Sequence, residues 1–418
     1  MAGPNRGRTV LPPPRAEGET SAQEEATVGE MRGRAMRLSR AERSLLVDWW
    51  FTVDRALLAA VLVIIGAGLL LSLAASPSIA LKRGLPTFYF VERHVVFGLA
   101  SVAILLAVSL LSPARVRRLA LVVLVIAFAL MALVLMVGAE INGARRWLHI
   151  GGYSLQPSEF AKPAFVVLSA WLLAEGERRP DMPAMPLAVS LYLVFACLLV
   201  LQPDVGQALL VSLVWAALFL LAGRPLRWFF MLAAGLAGGL VAAYMSLGYV
   251  RLRVDRFLHP TVGDSFQTDR ALHSFIEGGF FGKGPGEGTI KTVLPDAHTD
   301  FIFAVIAEEY GVLACLVLLA LFGLVAVRVF SRHVDQSGGF APLAAAGLTL
   351  LFVLQAIINM AVNVGLVPAK GMTLPFISSG GSSMLAVGLT MGMLLAVTRR
   401  RPDPARVKKP EFVSRPAT

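Results

Sequence analysis

The chain has little charge and little cysteine. Of its 418 residues only 16% are charged, where a soluble domain carries about 25%. The deficit excludes an ordinary water-soluble surface and points to lipid as the solvent. The two cysteines, Cys197 and Cys315, both fall inside apolar runs without metal-like spacing. A disulfide framework and a cysteine metal site are therefore excluded, and both are expected to be core residues. No basic stripe with interleaved aromatics is present, so the net charge of +11 does not indicate nucleic acid. No Walker spacing is present either. The first apolar run begins near Arg55, too late for a secretory leader, and is expected to be an uncleaved first span.

What is present is apolar sequence, 56% of the chain. Runs long enough to cross a bilayer, roughly 17–25 residues, recur along most of it. They predict an all-α polytopic membrane protein of about ten transmembrane helices: 55–76, 94–112, 117–138, 158–176, 185–201, 205–222, 227–247, 301–329, 341–366 and 380–398. The fifth and sixth are separated only by Gln202, Pro203 and Asp204. Residues 1–50 lack the apolar content to offset chain entropy and read as a largely disordered cytoplasmic tail. The helical domain covers 51–398, and 399–418 form a basic cytoplasmic tail. Arginines at 115, 117, 118, 178, 179, 224, 227, 328, 332 and 399–401 alternate with the spans and mark the cytoplasmic side. Both termini then lie inside.

The connection 248–300, between the seventh and eighth spans, falls on the other side and breaks the pattern of short loops. It holds six Lys/Arg and seven Asp/Glu, and an amphipathic stretch from Asp269 to Glu277 with Leu272, Phe275 and Ile276 at helical spacing. That stretch reads as a helix lying on the outer leaflet.

Polar groups at span ends are expensive and therefore candidates for function. Asp296, His298, Thr299 and Asp300 precede an apolar helix. Asp300 or Thr299 suits an N-cap; alternatively a partly desolvated carboxylate there has a raised pKa and serves as a general base. Glu159 and Lys162 share a helix face as an ion pair or as part of a cavity, with Pro163 disturbing the helix start. Gln202, Asp204 and Gln207 form a tight turn or a rim that hydrogen-bonds a sugar. Arg251, Arg253 and Arg256 are either a headgroup-facing cluster or a phosphate site. The alternating glycines of Gly282–Gly288 suit a hinge or a close backbone approach. The non-helical segment Pro368–Ser383 is tolerated at membrane depth only against protein or water, and Asn359 and Asn363 lie one turn apart on the span before it. These groups share one face, which implies a single extracytoplasmic site. Gly235, Gly238 and Gly239 suit ordinary helix packing.

Four long stretches resemble the SEDS family: WLHIGGYSLQPSEFAK (147–162), LQPDVGQ (201–207), GKGPGEGTIKTVLPDAHTDFIFAVIAEEYG (282–311) and NVGLVPAKGMTLPFISSGGSS (363–383). The similarity runs from about residue 55 to 398. GPGEGTIK and Lys370 look like the division branch of the family rather than the elongation branch. Ser379 departs from the family's usual tyrosine.

The resemblance implies an inverting peptidoglycan glycosyltransferase that joins lipid II into β-1,4 glycan strands at the division septum of the inner membrane, with undecaprenyl diphosphate leaving. Asp300 matches the catalytic base. Glu159 and Lys162 match paired cavity residues. Arg145, Arg146, Arg251, Arg253, Lys162 and Lys370 are the available cations, and Gln202, Asp204, Gln207, His298, Ser378 and Ser382 complete the expected substrate-binding set. Glu308 and Glu309 are assigned to packing or coupling. No dense carboxylate cluster predicts a metal cage, although a divalent cation, Mg or Mn, could assist. Implied partners are lipid II and the nascent strand, a class B penicillin-binding protein (an FtsI-like transpeptidase), and divisome proteins of the FtsQ, FtsL and FtsB types. A lipid II flippase is the main alternative; a small-solute transporter and a non-catalytic scaffold are weaker ones.

Overall fold

The computed structural model describes residues 45–82, 84–141, 144–246, 248, 251–252, 255, 266–294, 296–333, 339–368 and 371–400. Arg253, Arg256 and Lys370, most of both expected tails, and much of 248–265 lie outside the described residues.

A short helix, α1 (Leu45–Thr52), falls partly within the tail expected to be disordered. From Val53 onward the chain forms one compact unit. Its helices are α2 (Arg55–Lys82), α3 (Tyr89–Ser109), α4 (Pro113–Val137), α5 (Pro157–Arg178), α6 (Ala184–Leu201), α7 (Val205–Leu221), α8 (Leu226–Ser246), α9 (Phe266–Gly278), α10 (Ile302–Arg332), α11 (Phe340–Asn363) and α12 (Gly381–Thr398). Among the described residues, seven of them (α2, α3, α4, α6, α10, α11 and α12) are long and apolar enough to cross a membrane. The other expected spans coincide with α5, α7 and α8, of which α7 has only 17 residues.

Large apolar side chains face outward along the outer helices. On α4, Leu121, Val122, Val125 and Ile126 are each more than half exposed, as lipid-facing residues are. The inner layer is α5, α11 and α12; the side chains of α12 are almost all buried, and most of those of α5 and α11 are. Small residues let these helices approach closely. A Cβ at Gly388 would lie 2.3 Å from the Ser101 hydroxyl, and one at Gly347 would lie 2.7 Å from Val166. Ser101 Oγ also donates across this contact to the Met384 carbonyl at 2.8 Å. Among the described residues, a Cβ at Gly235, Gly238 or Gly239 would meet nothing within 4 Å, so no close packing is found at them. Cys315 is buried as expected, but Cys197 is exposed on α6 and is not a core residue.

The all-α expectation needs one amendment. Between α4 and α5 lies a three-stranded antiparallel sheet in the order β1 (Ala139–Ile141), β2 (Ala144–Ile150), β3 (Tyr153–Leu155). The β2–β3 turn is Gly151-Gly152, with φ of 57° and 80°. Both central residues of a two-residue hairpin turn of this kind need positive φ, which glycine supplies without a Cβ clash. The sheet leads directly into the head of α5 and places Arg146 and Trp147 beside it.

The amphipathic stretch forms α9, and its apolar residues divide: the Phe275 ring packs on Phe303 of α10, with centroids 5.7 Å apart. Ala271, Ser274 and Gly278 are buried against α10, while Leu272 and Ile276 point outward. A Cβ at Gly278 would overlap the Ala307 carbonyl. Glycine at that position sets how closely the two helices approach.

Candidate functional site

The turn before α10 is built around Asp296, whose φ of 52° is left-handed. Its carbonyl accepts from the amides of Thr299 (3.0 Å), Asp300 (3.1 Å) and Phe301 (3.3 Å). The turn is gripped from outside. Ser378 Oγ donates to the Thr299 carbonyl at 2.6 Å, and the Ser379 amide donates to the His298 carbonyl at 2.9 Å. Asn359 and Asn363, one turn apart on α11, both donate to the Asp300 carbonyl, at 2.9 and 3.0 Å. Asn363 Oδ1 also accepts from the Ala304 amide at 3.0 Å. The side-chain cap that Asp300 or Thr299 was expected to supply therefore comes from another helix. The N-cap position is Phe301, which makes no side-chain cap bond.

The Asp300 carboxyl is thereby left to face a cavity of about 530 Å³. Burial, reinforced by the neighbouring Asp296 carboxylate, raises its pKa to about 7. A Cβ on Gly371 would lie 3.5 Å from Asp300 Oδ2, so the backbone of the loop before α12 passes close to the carboxyl. The other walls come from the head of α3 (Phe90, Arg93, His94, Phe97), from the sheet and the head of α5 (Arg146, Trp147, Gln156, Glu159), and from Thr373 with Ser382 and Ser383.

The expected residues divide into three groups. Asp300, Glu159, Arg146 and Ser382 line the cavity. Lys162, Asp204, Gln207 and Gln202 stand behind it. Lys162 donates to Glu159 at 2.8 Å and to Gln207 at 2.9 Å, and Gln207 Nε2 donates to Glu159 at 2.9 Å. Asp204 caps α7 through the Gln207 amide and pairs with Arg146 at 3.5 Å. Burial raises the Asp204 carboxyl above its ordinary range against the pull of Arg146. Gln202 Nε2 donates to the Met131 carbonyl at 3.0 Å and fixes the α6–α7 link to α4. Arg146 also donates to the Gln202 and Pro203 carbonyls, and so locks the same link from the cavity side.

Arg145, Arg251, His298 and Ser378 are not in the cavity wall. Arg145 is half exposed and pairs with Glu140 on β1 at 3.6 Å. Arg251 is 66% exposed and pairs with Asp255, four residues along the same helical face. His298 is buried against the Phe90 ring, with centroids 4.7 Å apart. Ser378 serves the turn just described. Among the described residues no three His, Cys, Asp or Glu side chains gather into a metal-binding group.

Several wall residues carried no distinguishing signal in the sequence. Arg93 and His94 open an apolar helix, where a charge reads as an ordinary end marker. In the fold Arg93 lies over the rings of Tyr89, Phe97 and Tyr153, 5.1–5.9 Å from their centroids. The loop Gly282–Lys291 proves to be a close approach, as expected of its glycines. It wraps two buried carboxylates on α10: Glu308 accepts from the amides of Thr289 and Ile290, while Glu309 accepts from the Gly286 amide and from Lys291. The packing role assigned to these two glutamates is thereby given its contacts.

A family model described as "Cell cycle protein", covering FtsW, RodA and SpoVE, matches residues 55–402. The chain is 44% identical to a probable peptidoglycan glycosyltransferase FtsW of Caulobacter vibrioides, over 87% of this chain and 94% of that one. It is 37% identical to the protein of the same description from Hydrogenovibrio crunogenus, over 84% and 91%. Its fold is similar to a chain of a peptidoglycan synthase complex solved for the coordination of polymerization and crosslinking (TM-score 0.66, 29% identity, covering 83% of this chain and 97% of that one). It is also similar to the rod shape determining protein RodA of Thermus thermophilus (TM-score 0.62, 28% identity, covering 84% and 97%).

Proposed function

The chain belongs to the FtsW, RodA and SpoVE family of cell cycle proteins, and from that premise we propose that it is a peptidoglycan glycosyltransferase that polymerises lipid II at the division septum with Asp300 as general base. The observation that carries this reading is the Asp300 carboxyl set in the wall of a cavity of about 530 Å³, large enough for sugars, where burial and the neighbouring Asp296 raise its pKa to about 7. A sugar hydroxyl is a weak nucleophile. A base whose pKa lies near the working pH combines a useful deprotonated fraction with proton affinity, an effect worth about 10²–10⁴ in rate.

The acceptor 4-hydroxyl oxygen attacks the anomeric carbon of the lipid-linked donor as its proton passes to Asp300. The bond from that carbon to the diphosphate oxygen breaks, and its electron pair leaves with undecaprenyl diphosphate. Attack opposite the leaving group turns an α-linked donor into a β-linked product. Arg93 and Arg146 are the arginines of the wall and supply positive charge for the departing diphosphate. Glu159 and Gln156 offer acceptors and donors for sugar hydroxyls.

Residues 51–398 would constitute the catalytic domain, with the cavity on the periplasmic face of the inner membrane and both termini in the cytoplasm. A class B penicillin-binding protein of the FtsI type is the expected partner, and FtsQ-, FtsL- and FtsB-type proteins complete the assembly. Equal rates of glycan synthesis with and without the transpeptidase would count against that coupling.

The test is polymerisation of labelled lipid II by the purified chain. Polymer formed by the wild type and lost in Asp300→Ala supports the enzyme. Lipid movement that survives Asp300→Ala, with no polymer from either protein, would establish the flippase instead.

A further inference from the structure

Gln355 is a buried amide on α11, 3% exposed, one turn before Asn359. Its two arms make different contacts. Oε1 accepts from Lys162 Nζ at 3.0 Å, and Nε2 donates to the Thr373 carbonyl at 3.2 Å and to Thr373 Oγ1 at 3.4 Å. Thr373 Oγ1 in turn lies 2.6 Å from Ser383 Oγ. Thr373 and Ser383 line the cavity, whereas Lys162 does not.

The ammonium has three protons, and all three go to side chains of the chain itself: Glu159, Gln207 and Gln355. At 2% exposure, Lys162 has no donor left over for a phosphate in the cavity. Among the described residues, its connection toward the α12 side of the wall runs through the Gln355 amide. Thr373 adjoins Met372, whose carbonyl accepts from Asn359 Nδ2 at 2.6 Å, and the same nitrogen holds the Asp300 carbonyl at 2.9 Å. The segment that Gln355 grips is therefore one residue from the clamp on the Asp300 turn.

We propose that Gln355 is a positioning residue that transmits the hold of the buried Lys162 ammonium to the Thr373–Ser383 wall, so that Lys162 acts on the reaction through the wall and not by touching substrate. The inference rests on the glycosyltransferase reading of the cavity. An amide suits the position because one arm accepts and the other donates. Gln355→Glu keeps the acceptor for Lys162 but removes both donors to Thr373. Gln355→Leu removes both ends and leaves a buried N–H of Lys162 without its partner, an unfavourable state for a buried donor.

The experiment measures kcat and KM for polymerisation of labelled lipid II by the full-length chain in detergent, with Tm as a check on folding. The variants are Gln355→Glu, Gln355→Leu, Lys162→Met, Thr373→Val and their combinations. The expected result is a loss in kcat of about tenfold for Gln355→Glu at unchanged Tm, with KM within about twofold of wild type, as uniform substrate binding is untouched. Lys162→Met and Thr373→Val should be non-multiplicative together, as residues in one network are. In the Gln355→Leu background, Lys162→Met should cost clearly less than in the wild type, the remainder reflecting Glu159, which Lys162 also holds.

Undiminished loss from Lys162→Met in that background would overturn the inference, because Lys162 would then act independently of Gln355. Should Lys162→Met fail to fold, Gln355→Glu decides alone, and full kcat in that variant is the contrary result. Each of these failures is read while the wild type polymerises. A folded wild type that makes no polymer removes the reading of the cavity and this inference together.

Discussion

Helix α10 has an aspartate at each end, and the two are treated in opposite ways. At its tail, Arg328 and His333 converge on Asp54, which lies just before α2. Arg328 bonds both carboxylate oxygens, with contacts of 2.8–3.1 Å, and His333 Nε2 lies 3.0 Å from Oδ2. Burial alone would raise the Asp54 carboxyl, but these bonds outweigh it and hold the group below its ordinary range. At the head, the Asp300 backbone is clamped by Asn359 and Asn363, while its carboxyl has burial and a second acid for surroundings and rises to about 7. Fixing an acid through its carbonyl holds it in place without neutralising its side chain. Fixing it through its carboxylate gives a structural tie and no base.

The largest expected effect breaks this contrast outright. Asp300→Asn should lower the polymerisation rate by about 10²–10⁴, the usual contribution of a general base, and leave Tm unchanged or slightly raised. Asp54→Asn should do the reverse, lowering Tm while the rate per folded molecule persists. Assaying both variants for lipid II polymerisation and thermal unfolding tests the pair together.

The pH dependence sharpens the comparison. As the proposed base, Asp300 would act deprotonated, so the rate should climb as pH rises through about 7. Asp296→Asn removes the anion that helps to raise Asp300 and should move that midpoint to lower pH; an unmoved midpoint would show that burial alone sets it. For Asp54 the folded pKa is depressed below the unfolded value of about 3.8. Its stabilisation is therefore fully present above that value and is lost as pH falls through the folded one. Asp54→Asn should flatten this acid limb in a Tm-against-pH profile.

The smallest effect belongs to Arg145. Its pair with Glu140 is about half exposed, and exposed pairs contribute about 0–1 kcal/mol. Arg145→Ala should leave Tm and rate close to wild type, whereas Arg146→Ala, one residue along and facing the cavity, should lower the rate clearly.

The helical architecture was legible because each span is a continuous apolar run and lipid-facing helices need no finer pattern. The Asp296–Asp300 turn stood out because acids at the start of an apolar helix are costly. The Glu159–Lys162 pair stood out because a three-residue spacing puts both on one face. The cations were read less well. Arginine appears the same in sequence whether it lines a cavity, as Arg93 does, or pairs at the surface, as Arg251 does with Asp255. Only tertiary contacts separate the two. The sheet was missed because its strands are short, although Gly151-Gly152 between Ile150 and Tyr153 is a hairpin signal. Gln355, one turn before Asn359 on α11, was missed because a buried amide reveals its partners only when α5 and the loop before α12 pack against it.

Gly311 interrupts α10 with φ 79° and ψ 176°, where a Cβ would lie 2.3 Å from the Phe280 carbonyl. Unbroken, the 31 residues of α10 would measure about 46 Å at 1.5 Å per residue, well beyond a hydrocarbon layer of about 30 Å. The portion after the break measures about 31 Å, close to that thickness. One glycine thus divides the helix into a rod about as long as the hydrocarbon layer is thick and a shorter, redirected piece that carries the Asp300 turn.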